Sequence, residues 1–119
     1  MNLIGSRPDG WWRDRPAARR RLAAELGRFA HARGAVVEVV FDGRPGVDEE
    51  ADAESAGIAV TYAPGGPDAA DRVIAELART APDPAETTVV TSDTALAATV
   101  RATGVAVVGV SAFRRLLEP

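Results

Sequence analysis

Two β-branched runs in this chain each end at an aspartate. Residues 36–41 lead into Asp42, and residues 87–92 lead into Asp93. Runs of this kind, bounded by Gly and Pro, are typical of buried strands in a parallel sheet. Ligands of open α/β sheets bind outside the carboxyl ends of the strands. Two strands that each bring a carboxylate to this edge therefore indicate a site for a divalent metal ion.

Strand and helix patterns alternate along the rest of the chain. Because the connections are short, this order predicts a doubly wound parallel sheet with helices on both faces and right-handed crossovers. The 119 residues are enough for one domain with its own core. Strands are predicted at 35–41, 58–62, 87–91 and 105–110, and helices at 16–33, 47–56, 67–79, 93–103 and 112–117.

Three residues in the second half of the chain are predicted to mark the ends of helices. Ser92 and Ser111 each precede a helical pattern. Serine is a common N-cap because its hydroxyl oxygen accepts a backbone N–H of the first turn. Gly104 is expected to end the preceding helix in a left-handed conformation.

The composition limits the chemistry that a site in this chain can carry. There is no cysteine and a single histidine, His31, which excludes thiolate ligands, disulfides and clusters of imidazoles. Metal ligands must then be oxygens, the donors that Mg²⁺ and Mn²⁺ prefer. The lack of cysteine is also consistent with a cytoplasmic protein. No apolar run approaches the roughly 20 residues of a membrane span, so no membrane partner is expected.

Four carboxylates are candidates for the metal site. Asp42 and Asp93 follow strands, while Asp68 and Asp71 share one face at the start of a predicted helix. Each has a structural alternative, since aspartates form turns, cap helices and favour the helix dipole. Two carboxylates about 4 Å apart repel each other by roughly 4 kcal/mol at an effective dielectric of about 20. A divalent cation would remove this repulsion and could activate a water molecule.

The basic charge of the chain is concentrated in its first third. All 14 basic residues are arginines, and eight of them lie within residues 7–33. Only three acids accompany these eight arginines, so the segment is net basic by five charges. Guanidinium groups match phosphate oxygens, and the segment is either a nucleic-acid-binding face or an ordinary solvated helix surface. The adjacent Trp11 and Trp12 either pack or offer a ring for base stacking.

Several short motifs in this chain occur together, and in the same order, in a known family. The chain resembles the NYN-domain family of PIN-like ribonucleases, specifically its bacterial YacP-like branch. The resemblance implies a PIN-like, Rossmann-like α/β fold in which residues 1–119 form a single NYN/PIN-like domain. The motifs are Met1 to Arg7, Trp12 to Arg15, Val40-Phe41-Asp42-Gly43, Ala70-Asp71, Val90-Thr91-Ser92-Asp93 and Val110 to Phe113.

The resemblance implies a metal-dependent endoribonuclease that activates a water molecule against an RNA phosphodiester. By motif, Asp42, Asp71 and Asp93 would be catalytic residues and ligands of Mg²⁺ or Mn²⁺, and Asp68 is a further, less securely matched ligand. The expected partner is single-stranded RNA, such as mRNA or ribosome-associated RNA. The residues expected to bind or orient the substrate are Asn2, Arg7, Trp12, Arg13, Arg15, Arg19 and Ser92.

One departure from the family pattern concerns the N-terminus. In the family, an apolar strand ending in Asp-Gly precedes the motif that begins here at Met1 and Asn2. The resemblance therefore implies an N-terminally shortened chain that lacks the first, central strand and its aspartate, with impaired metal affinity and activity. Two alternatives stay open on the same residues: a non-catalytic RNA-binding module of this fold, and a nucleotide phosphohydrolase.

Overall fold

The computed structural model describes residues 15–46 and 56–118. This part of the chain contains both helices and parallel strands, which confirms the predicted α/β class. The predicted short helix at 47–56 lies outside the described residues, apart from Ala56. No helix among residues 15–46 and 56–118 has the length and apolar character needed to cross a membrane. The elements are α1 (Arg15–Arg33), β1 (Glu38–Asp42), β2 (Ala59–Ala63), α2 (Ala69–Arg79), β3 (Thr88–Val90), α3 (Thr94–Arg101), β4 (Ala106–Val108) and α4 (Val110–Leu117).

The strands form parallel pairs, as predicted. β1 pairs with β2 so that Glu38 lies opposite Ala59 and Asp42 lies opposite Ala63. β3 pairs with β4 in a shorter ladder that starts with Thr88 opposite Ala106. Within the described residues these ladders make two two-stranded sheets, where the strand pattern alone suggests one continuous sheet.

Among the described residues, one compact unit ends at Ala70 and a second begins at Asp71. In the first unit, α1 buries one face, because its buried side chains recur every three or four residues. Phe41 on β1 and Ala63 at the end of β2 are also buried. The buried residues of α1 are Ala18, Leu22, Ala23, Leu26 and Ala30.

The second unit has its own apolar core. Ala78 from α2, Leu96 and Val100 from α3, and Val105 before β4 form its buried cluster. Val100 has no exposed surface at all. Ile74, Ala75, Ala81, Val89 and Val107 pack around this cluster as partly buried residues.

The helix ends of the second unit correct two of the sequence predictions. Asp93, and not Ser92, is the N-cap of α3, because its side chain accepts the N–H of Leu96. Gly109, and not Ser111, is the N-cap of α4, so Ser111 lies inside the helix. Gly104 has the predicted left-handed backbone, with a φ of 91°, a conformation that glycine adopts without steric cost.

Candidate functional site

Asp42 is the last residue of β1 and lies at the carboxyl end of the first strand pair. Its Oδ1 accepts a hydrogen bond from the backbone N–H of Ala70, at 3.3 Å. Ala70 belongs to the first turn of α2, where N–H groups have no partner inside the helix. These N–H groups carry partial positive charge, so they stabilise a carboxylate. The Asp42 carboxylate is therefore held at the N-terminus of α2.

A group of side chains surrounds the end of β1, and we call it the Arg19 cluster: Arg19, Phe41, Tyr62 and the backbone carbonyl of Arg44. The Arg19 guanidinium carbon lies 6.0 Å from the ring centroid of Phe41 and 5.9 Å from that of Tyr62. The two ring centroids are 5.9 Å apart, with the ring planes inclined by 37°. The guanidinium also donates a hydrogen bond to the Arg44 carbonyl oxygen, at 3.3 Å. The cluster connects α1 with both strands and with the loop that follows Asp42.

Asp68 and Asp71 lie at the start of α2. The helix begins at Ala69, later than the predicted start near residue 67, so Asp68 precedes the helix and is exposed. Asp71 is half-buried, lies in the first turn and directly follows Ala70. Both acidic residues are therefore near the positive end of the helix dipole, where a carboxylate is stabilised by about 0.3–1 kcal/mol.

Asp93 stands at the N-terminus of α3 and is exposed. Its Oδ1 accepts the N–H of Leu96 at 2.8 Å, while its own N–H donates to the Thr91 hydroxyl oxygen at 3.1 Å. The capping role that the sequence left as a structural alternative is thus present. A cap does not exclude a second role, because a carboxylate has two oxygens.

Ser92 contacts a different helix from the one that follows it. Its hydroxyl oxygen accepts the N–H of Val110, the first residue of α4, at 2.9 Å. Gly109 has no side chain with which to cap α4, and Ser92 provides the missing acceptor. The consecutive residues Ser92 and Asp93 therefore supply acceptors to the N-termini of two helices, α4 and α3.

The acidic residues match the donor chemistry of Mg²⁺ and Mn²⁺, which bind carboxylate oxygens. No group of three Asp, Glu, His or Cys side chains in the described ranges is close enough together to hold a metal ion. Magnesium is commonly bound by only one or two carboxylates, with water and substrate phosphates completing its coordination. The residues present thus fit a sparsely ligated ion, and the roles of Asp42, Asp68, Asp71 and Asp93 as ligands stay predictions.

The residues predicted to bind substrate are only partly described. Asn2, Arg7, Trp12 and Arg13 lie outside the described residues, as does the side chain of Arg15. Arg19 and Ser92 are described: Arg19 donates to the Arg44 carbonyl, and the Ser92 hydroxyl oxygen accepts the N–H of Val110.

Sequence reasoning missed the partners of these side chains. The partner lies 25 residues away for Arg19, 28 for Asp42 and 18 for Ser92. Helix capping and helical side-chain pairs join residues that are only about two to four positions apart. These three separations are much longer, so no local signal in the sequence identifies the contacts.

Parallel strand pairs with polar residues at their carboxyl ends, next to helix N-termini, define an α/β fold. A family model described as the YacP-like NYN domain matches residues 2–118, and the chain belongs to that family. This membership indicates nuclease chemistry.

A solved structure supports the same fold. The chain resembles the crystal structure of a mutant of Rae1 (YacP) from Bacillus subtilis, with a TM-score of 0.76. The two sequences are 22% identical, and the likeness covers 98% of this chain and 69% of the other. At this identity the similarity concerns the fold. A comparison with curated proteins gave no match.

Proposed function

We propose that this protein is a metal-dependent endoribonuclease that hydrolyses RNA phosphodiester bonds. The observation that carries the proposal is the match of residues 2–118 to the YacP-like NYN domain. The strand-end positions of Asp42 and Asp93 support it, because ligands of α/β folds bind at that end of the strands. A cytoplasmic location is part of the same proposal.

In this proposal, Mg²⁺ or Mn²⁺ is bound by carboxylates drawn from Asp42, Asp71 and Asp93, with Asp68 as a further candidate, and water and substrate phosphates complete its coordination. The ion would supply an activated water molecule and stabilise negative charge on the phosphoryl group. The chain's own contribution is orientation: the N–H of Ala70 restrains the Asp42 carboxylate, and that of Leu96 restrains Asp93. Since each carboxylate is held by a backbone group, little ordering is needed when a ligand binds.

Ser92 and the basic segment would bind the substrate. The Ser92 oxygen accepts the Val110 N–H, so its hydroxyl hydrogen can be donated to an RNA oxygen. Arg21 and Arg28 are exposed on α1 and are spaced by two helical turns. We propose that these arginines, with Asn2, Arg7, Trp12, Arg13 and Arg15, contact single-stranded RNA such as mRNA or ribosome-associated RNA.

The substitution Asp93→Asn tests this proposal sharply. Asparagine caps helices about as well as aspartate, so the variant removes the negative charge and keeps the cap on α3. We expect cleavage of a fluorescently labelled single-stranded RNA in Mn²⁺ to fall by at least about 100-fold. The melting temperature should change little.

Asp83→Asn is the matched control. Asp83 is exposed and precedes the 3₁₀ turn Pro84–Glu86 without making a side-chain capping bond. Its variant should cleave RNA at the rate of the unmodified protein. Unchanged cleavage in Asp93→Asn would refute the assignment of Asp93 as a catalytic residue.

A non-catalytic RNA-binding module is the second candidate. The specific observation in its favour is that Asp42 and Asp93 both serve as acceptors for helix N–H groups, which is a sufficient structural reason for their presence. This alternative predicts RNA binding that weakens steeply with salt and does not require a divalent ion. Binding without cleavage in Mn²⁺, at several RNA lengths, would favour the module over the enzyme.

A further inference from the structure

Arg19 contacts the chain on both sides of Asp42. Its guanidinium lies against the ring of Phe41, the residue before Asp42, at 6.0 Å. It also donates to the carbonyl of Arg44, two residues after Asp42, at 3.3 Å. The fixed, planar set of donors in a guanidinium can stack on a ring and donate to a carbonyl at the same time.

Two further features fix the loop that follows Asp42. Gly43 has a φ of 93°, a backbone conformation that favours glycine. Its N–H donates to the Ala63 carbonyl at 3.1 Å, which extends the β1–β2 ladder by one bond. The next residue, Arg44, is held by the hydrogen bond that its carbonyl oxygen accepts from Arg19. A guanidinium over aromatic rings is attracted to their electron-rich faces, and more strongly where it is desolvated.

We propose that Arg19 is a positioning residue for Asp42. By holding segment 41–44 against α1, it keeps the Asp42 carboxylate at the N–H of Ala70, at the start of the helix that carries Asp71. The effect of this placement on catalysis rests on the proposed ribonuclease function. The placement itself is independent of that function. The role differs from the phosphate binding that the sequence predicts for Arg19.

Amide hydrogen exchange measures the placement without any need for activity. In Arg19→Met, we expect the Ala70 amide to exchange at least about tenfold faster, because its acceptor is no longer held in place. The Leu96 amide is the internal control, since Asp93 caps it locally, and its exchange should not change. Arg19→Lys keeps the charge but loses the planar set of donors, so it should give an intermediate rate at Ala70. Equal rates at Ala70 in the unmodified protein and Arg19→Met would overturn the proposal.

RNA binding separates positioning from phosphate contact. In the absence of metal, loss of one phosphate contact to single-stranded RNA should reduce the slope of log K against log salt by about 0.7. We expect Arg19→Met to leave this slope unchanged and Arg28→Met to reduce it. A reduced slope in Arg19→Met, with unchanged exchange at Ala70, would assign Arg19 to the substrate instead.

Kinetics then connect the placement to the proposed function. Arg19→Met should lower kcat by roughly tenfold with little change in KM, since it displaces a group that acts during the reaction. The exposed Arg101 on α3 provides a control, and Arg101→Met should keep both constants. If the unmodified protein does not cleave RNA, the ribonuclease proposal fails while the exchange experiment still decides the role of Arg19. If Arg19→Met does not fold, Tyr62→Leu, which removes one ring, should accelerate Ala70 exchange, and an unchanged rate would contradict the proposal.

Discussion

The two units of the chain place an aspartate in the same position by different means. Asp42 and Asp93 both stand at the carboxyl end of a two-stranded parallel pair, and both accept an N–H from the first turn of a helix. Asp93 accepts a hydrogen bond from the N–H of Leu96, three residues later in the chain, whereas Asp42 accepts one from the N–H of Ala70, 28 residues later. The first contact follows from local capping chemistry, and the second exists only because the chain returns to the end of β1.

The units also differ in what surrounds that aspartate. In the first unit, the Arg19 cluster of one guanidinium and two rings lies against the strands next to Asp42. In the second unit, the neighbouring Ser92 reaches across to α4 through a hydroxyl group. The placement of Asp42 therefore involves residues that are distant in the sequence, whereas the cap made by Asp93 is local and only its neighbour Ser92 has a distant partner.

The largest effect on stability is expected from the apolar cores of the two units. Leu26 on α1 is 3% exposed and Leu96 on α3 is 6% exposed. Truncating either to alanine should lower the free energy of unfolding by about 2–5 kcal/mol, through lost burial and the remaining cavity. Urea denaturation, monitored by circular dichroism, measures the free energy of unfolding of both variants. Similar losses would show that the units differ at their strand ends and not in the strength of their cores.

Leu116→Ala is the control for this pair, because Leu116 is 46% exposed. Its effect should stay within about 0.5 kcal/mol, as for most surface substitutions. A loss below about 1 kcal/mol in Leu96→Ala would contradict the core described for the second unit.

Removing each aspartate side chain tests the comparison directly. Asp42→Ala leaves the part-buried N–H of Ala70 without its acceptor and should destabilise the protein by about 1–3 kcal/mol. Asp93→Ala removes an exposed N-cap and should cost about 0.5–2 kcal/mol. Thermal denaturation of both variants, beside Asp42→Asn and Asp93→Asn, gives the measurement. The asparagine variants keep an acceptor oxygen, so equal stability of Asp42→Ala and Asp42→Asn would show that the long-range bond contributes nothing.

The smallest effect concerns the two serines. Ser92→Ala removes the acceptor of the Val110 N–H and should lower stability by about 0.5–1.5 kcal/mol. Ser111→Ala should be neutral or slightly stabilising, because Ser111 is exposed within α4 and alanine has the higher helix propensity by up to about 0.5 kcal/mol. Chemical denaturation of the two variants side by side distinguishes them. A larger loss in Ser111→Ala would show that the Ser111 side chain caps α4.

Much of the fold was predictable from residue patterns. The predicted strand at 35–41 contains most of β1, and the predicted first helix at 16–33 differs from α1 by one residue. β-Branched runs and helical spacing are local signals, so they identify elements well and their ends less well. The predicted strands at 87–91 and 105–110 are longer than the observed strands Thr88–Val90 and Ala106–Val108. Strand bounds depend on pairing, and only these three residues of each strand are paired with each other.

The candidate site was predictable in its residue types and less so in its geometry. The strand-end positions of Asp42 and Asp93 follow from the pattern, and the chain belongs to the YacP-like NYN family that the motifs predicted. Their roles in metal binding stay predictions. The cap of α3 was assigned to Ser92 from the sequence, since serine and aspartate are almost equally good N-caps and the pattern cannot choose between neighbours.

Residue patterns alone specify the α/β class, the parallel direction of the strands and the aspartate that follows each of two strands. These features depend on side-chain periodicity and on contacts within about four residues, which the order of residues specifies directly. The folded chain is needed to see that Asp42 accepts the N–H of Ala70, that Ser92 accepts the N–H of Val110 and that Arg19 contacts the loop after β1. Such bonds form between groups that folding brings together, and hydrogen bonding depends on distance and direction in space rather than on separation along the chain.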